Sequence, residues 1–153
     1  MISKNFLQSD PNLTNLRCPG LGELEIDVLR EKIESSCIKH GLNVIVATDT
    51  VTSGKMFDKS KSECVTVTNA EHPTDYFVEV ITLKTQGTYA FFDFYVTGNS
   101  KNLYRVHEGD KEHKSLTGSI IGAIKKATVS DDALETEKNY YEMLNDALEA
   151  TFK

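Results

Sequence analysis

The sequence predicts an α+β domain: an N-terminal helix, about five mainly antiparallel strands in one sheet, and two C-terminal helices packed on one face of that sheet. Three observations carry this. Residues 76–97 hold seven of the chain's thirteen aromatic residues in two strand-like runs around a Gln86-Gly87 turn, and branched or aromatic side chains pack well on a pleated surface. Ahead of them, Ile26, Leu29, Ile33 and Cys37 recur at helical spacing. Behind them, Leu134, Tyr141, Leu144, Leu148 and Phe152 line one face of a second helical pattern. Helix, strands, then helices is the order in which helices cover one side of an antiparallel sheet.

In chain order, residues 1–22 carry two of the three prolines and two of the nine glycines without a sustained period, so they read as an irregular N-terminal arm. Residues 23–153 form the single α+β domain. The first helix covers about 23–39 and stops at Gly41, which can take the left-handed conformation that closes a helix. A β-rich run follows over 42–50, and Ser53-Gly54-Lys55 breaks it. Residues 55–62 are polar and read as a loop or frayed edge strand, 63–68 alternate as a further strand, and 69–74 are a turn cluster. The aromatic hairpin comes next, then a turn at 98–102 and a short strand over 103–107. The connections are short, which favours antiparallel neighbours. Helical patterns occupy 112–128 and the segment after Ser130, whose hydroxyl suits an N-cap, with Asp131 and Asp132 in the first turn where the helix dipole favours negative charge.

Bulk properties exclude several classes. A chain of 153 residues suits one domain and buries roughly 68–70% of its unfolded surface without needing staples. The net charge is −6, and residues 131–153 carry seven acidic residues against two lysines. Such a surface repels phosphate backbones, so no nucleic-acid partner is expected. Cys18, Cys37 and Cys64 are odd in number and widely spaced, which fits reduced thiols in a cytoplasmic setting better than a disulfide framework or zinc site. No apolar run spans a bilayer or forms a leader, so no membrane association is expected.

Candidate residues lie on the hairpin. Along its second strand Ala90, Phe92, Phe94 and Val96 share one face, which belongs to the core, while Tyr89, Phe91, Asp93 and Tyr95 share the other. The second face is too aromatic for free solvation, and such patches mark interfaces or ligand grooves. Asp93 is the one acid among these rings, with Arg105 and His107 on the following strand as partners. The four histidines show no metal-ligand spacing, Ser53-Gly54-Lys55 lacks the remaining residues of a phosphate-binding loop, and no nucleophile elbow occurs. No metal and no cofactor are expected.

The function expected from these residues is a non-enzymatic binding or assembly module of a bacterial-type cytosol. It is read as a homodimer that holds a protein partner through the aromatic sheet face or an acidic helix, with Tyr89, Phe91, Asp93, Tyr95, Arg105 and His107 as the binding residues. In architecture alone, a small acidic protein with a helix-flanked antiparallel sheet resembles bacterial secretion chaperones. The alternative is a cavity between curved sheet and helices that takes a small apolar ligand. An enzyme using Asp93 with His107 or Arg105 is the third reading.

Overall fold

The computed structural model describes residues 1–55, 58–71, 77–98 and 131–152. The chain runs through β1 (Ile2–Ser3), a 3-10 turn at Lys4–Phe6, β2 (Gln8–Ser9), β3 (Leu16–Pro19), α1 (Ile26–Lys39), β4 (Val44–Lys55), β5 (Asp58–Asn69), β6 (Phe77–Gln86), β7 (Tyr89–Gly98) and α2 (Asp131–Thr151). This is a mixed α+β fold. Among the described residues it has seven strands and two helices, one helix before the long strands and one after them. The expected strand over 103–107 and helix over 112–128 lie outside the described residues.

The alternation along β7 becomes two faces of a sheet. Ala90, Phe92, Phe94 and Val96 are buried, while Phe91, Asp93 and Tyr95 are half-buried on the opposite side. Against the first face pack Leu29, Ile33 and Cys37 of α1 and Tyr141, Leu144, Ala147 and Leu148 of α2, together with Val65, Val67, Ile81 and Leu83 of the middle strands. The two helices also touch each other, through the Ser36 hydroxyl donating to the Ala147 carbonyl at 2.7 Å. α1 ends where expected: Gly41 has φ +74°, and its N–H donates back to the Ile38 carbonyl at 2.9 Å.

Two local expectations are corrected. Ser53-Gly54-Lys55 does not break the run off after Thr50 but forms the last residues of β4, because β4 and β5 stay paired from Val44↔Asn69 through to Lys55↔Asp58. Gly54 absorbs the distortion at φ +101°, and the hydroxyls of Ser53 and Ser60 bond across the ladder at 2.6 Å. The residues there are mostly polar, and such a composition reads as loop. The β6–β7 turn sits one residue later than expected: Gln86 pairs with Tyr89, leaving Gly87 and Thr88 as a two-residue loop. Only the glycine takes positive φ, at +60°, which is the type II′ requirement.

The arm holds more structure than its composition shows. β1 pairs in parallel with β4, and β2 and β3 both pair antiparallel with β7, giving the order β1-β4-β5-β6-β7-β2 with β3 beside β2. In a flat sheet β1 and β2 would stand about 24 Å apart, five spacings of ~4.8 Å. The link from Ser3 to Gln8 reaches at most about 18 Å even fully extended, and a 3-10 turn shortens it further. The sheet therefore curls until its two edges approach. It curls away from the helices, since Ile2 and Leu7 at either end of that link pack on Val51, Cys64 and Val80 of the opposite face.

Candidate functional site

The aromatic face divides into a covered end and an open end. At the covered end Tyr95 packs with Ile2 and Leu7 against the second, smaller core. Burial, and then the neighbouring negative charge of Asp93, push its phenol above the ordinary tyrosine value. At the open end Tyr89 is 40% exposed and stacks on Phe91 with ring centres 6.4 Å apart. The Arg17 guanidinium lies 6.0 Å from the Tyr89 ring centre, within cation–π range. Arg17 on β3 and Lys84 on β6 are both register partners of Phe91, so two cations flank the aromatic pair. Arg105 and His107 lie outside the described residues. Of the six predicted residues, the structure brings Tyr89 and Phe91 together at an accessible surface, adds Arg17 and Lys84, and sets Tyr95 under the arm.

A second cluster lies on the helix-covered face, and sequence reasoning missed it. Glu79 is fully buried, in line along β6 with the core residues Ile81 and Leu83. Asp10 is 4% exposed and is tied to β7 by its N–H donating to the Phe94 carbonyl at 3.0 Å. Oδ1 of Asp10 accepts the Tyr141 phenol at 2.5 Å and the Asn12 N–H at 2.8 Å. The Asn12 side-chain amide donates to the same phenol oxygen at 3.2 Å. Oδ2 of Asp10 and both carboxyl oxygens of Glu79 are buried without a hydrogen-bond partner. Burial first, and Asp10 beside it second, hold the Glu79 carboxyl well above the ordinary glutamate value.

These facts fit together when Glu79 is protonated. Two ionised carboxylates can only accept, so neither can satisfy the other. A proton on Glu79 supplies the missing donor to Oδ2 of Asp10 and removes one charge from a dry site. Glu79 had a legible signal, because it alternates with Ile81 and Leu83 rather than with Val78 and Val80. Asp10 had none, since its arm has no period. Deleting one hydroxyl probes the cluster: Tyr141→Phe leaves Oδ1 of Asp10 with the Asn12 N–H alone, and denaturant unfolding is expected to show a loss of roughly 1–3 kcal/mol. An unchanged midpoint would remove the phenol from the network.

Beside this cluster, between residues 12–16 and the last turn of α2, is a cavity of about 230 Å³ lined by Leu13, Leu16, Phe94, Leu148 and Phe152, with Asn12, Thr14 and Glu149 as its polar lining. The Phe152 ring stands 4.6 Å from that of Phe92 and 5.5 Å from that of Phe94, so the back of the cavity is aromatic. Cys37 and Cys64 offer no nucleophile here: burial pushes their thiols up to about 11, where the reactive thiolate is scarce. Among the described residues, no group of three or more His, Cys, Asp or Glu is placed to hold a metal ion, and no helix is long and apolar enough to cross a membrane. No protein-family model, curated protein or solved structure matches this chain.

Proposed function

We propose that the protein is a non-enzymatic binding module that acts as a homodimer and holds a protein partner on the open end of its sheet face. The observation that carries this reading is the exposed Tyr89–Phe91 stack with Arg17 beside it. Tyrosine and arginine dominate interface hot spots, because a rigid amphipathic ring and a planar guanidinium give large contact area for little lost entropy. The exposed acidic residues of α2, Glu135, Glu142, Asp146 and Glu149, offer a second surface of opposite charge. The Asp93 enzyme reading gains no support, as two of its three residues lie outside the described ones.

The test uses a photo-crosslinking residue at Gln86, next to Tyr89 in the ladder, in cells of the native host, with an exposed position on β4 as control. One defined partner or a second copy is expected at position 86 and not at the control. Tyr89→Ala is expected to weaken that association by tenfold or more, about 1.4 kcal/mol, while stability changes by less than about 0.5 kcal/mol, as for most surface substitutions. Equal crosslinking at both positions would defeat the reading, and a strict monomer by light scattering would remove the homodimer.

A second reading has an observation of its own. The cavity has five apolar lining residues, Leu13, Leu16, Phe94, Leu148 and Phe152, and three polar ones, Asn12, Thr14 and Glu149, the mainly apolar lining with a few polar groups of a small-molecule site. Its volume is below the roughly 300–1,000 Å³ of drug-sized pockets, so its occupant would be a small apolar molecule.

A further inference from the structure

The wall of that cavity and the buried acid pair belong to one stretch of chain. Residues 10–15 join β2 to β3, whose first residue is Leu16. Asp10 at the start of this stretch meets Glu79 and Tyr141, and Asn12, Leu13, Thr14 and Leu16 then form one side of the cavity. Its far end is held separately, by the Phe94 N–H donating to Oδ1 of Asn15 at 3.2 Å and by the β3–β7 ladder. At the near end the backbone is held by the β2–β7 ladder and by the Asp10 N–H on the Phe94 carbonyl, while the Asp10 side chain sits in the carboxyl pair, where three buried oxygens have no hydrogen-bond partner.

We propose that residues 10–16 are a strap latched by one proton held between Glu79 and Asp10, and that the cavity the strap walls takes a small apolar molecule only while this latch is closed. This rests on the second reading above. When Glu79 gives its proton to bulk water, two carboxylates face each other in a site closed to solvent. Like charges in a low dielectric cannot both persist there, so Asp10 is driven toward water and takes Asn12 and Leu13 with it. Among the described residues, the titratable groups facing Glu79 are Asp10 from the arm and Tyr141 from α2. Its neighbours in the ladder, Val67 and Val96, carry no charge. Glu137, one turn before Tyr141 on α2, accepts from the Asn69 amide at 3.1 Å instead. Among the described residues, no salt bridge joins a cation to either carboxyl. By linkage, a molecule that binds only the latched form must also raise the affinity of Glu79 for its proton.

The experiment reads latch and cavity separately, by carbon-13 NMR of the Glu79 carboxyl and by titration with toluene as the probe. In the wild-type protein the Glu79 titration midpoint is expected to lie well above the ordinary glutamate value, and the Asn12 and Leu13 amide signals to change with the same midpoint. Toluene is expected to bind at pH 6 and to bind at least about tenfold more weakly at pH 9. In Glu79→Gln, which keeps a donor for Asp10 but cannot titrate, binding is expected to agree within about twofold at the two pH values. Leu13→Trp, which fills the cavity from the strap side, is expected to abolish binding while leaving the Glu79 titration in place. A Glu79 midpoint at the ordinary value, or wild-type binding equally tight at both pH values, overturns the latch alone. Absence of toluene binding at both pH values overturns the proposal and the second reading together.

Discussion

Glu79→Gln is expected to raise stability above pH 5 relative to the wild type, by up to about 1.4 kcal/mol for each pH unit until the folded value is reached, and to flatten its dependence on pH. The reason is the mismatch between folded and unfolded chains. Unfolded, the glutamate titrates near 4.5, whereas in the fold burial and Asp10 raise that value well above it. Between the two, the native state holds a proton that the unfolded state has released. The stability is therefore fully present below about pH 4.5 and falls by about 1.4 kcal/mol per pH unit as pH rises toward the folded value. Glutamine does not titrate, so it removes this slope. One of its polar atoms still lacks a partner, which limits any gain at low pH, and at pH 5 the two proteins should agree within about 1 kcal/mol. Urea unfolding from pH 5 to pH 9 measures the difference. Parallel pH profiles for the two proteins would mean that Glu79 is not held protonated.

Phe92→Ala should produce the largest loss, about 3–5 kcal/mol. Phe92 is fully buried and its ring lies 4.6 Å from that of Phe152, the residue that follows α2. Truncation leaves a cavity between two elements that meet through these rings, so neither can relax alone. The adjacent residue is the internal control. Phe91 lies on the other face, half-buried beside an exposed tyrosine, and Phe91→Ala should cost about 1 kcal/mol or less. Denaturant midpoints for the two variants test the alternation directly: equal losses would mean that the two faces of β7 are not the inner and outer faces described.

How much of this could be read beforehand depends on whether residues have a period. α1 and its glycine stop, the two faces of β7 and the apolar stripe of α2 all follow from recurring side chains, and the structure shows each of them. The outer ends of β4 and β5 were missed because they are polar on both sides, so pairing there leaves no hydrophobic pattern. Glu79 could have been found by asking which face of β6 holds Ile81 and Leu83. Asp10 could not, because its burial is set by contacts with residues from β7 and α2, far along the chain. Arg17 was hidden for the same reason: its place beside Tyr89 exists only once β3 has paired with β7.

The curling of the sheet, forced by the short link between β1 and β2, has a consequence for the order of assembly. The β4–β5, β5–β6 and β6–β7 pairs join neighbours in the chain, and such local contacts close early and cheaply. The arm instead joins β4 on one edge and β7 on the other, contacts of much greater sequence separation that carry a larger loop-closure cost. A chain whose arm has not docked lacks these partners on the β4 and β7 edges, and an open strand edge is a template for the edge of another molecule. The first twenty residues are thus made earliest and needed last, and their arrival protects the half-folded chain from pairing with its own copies.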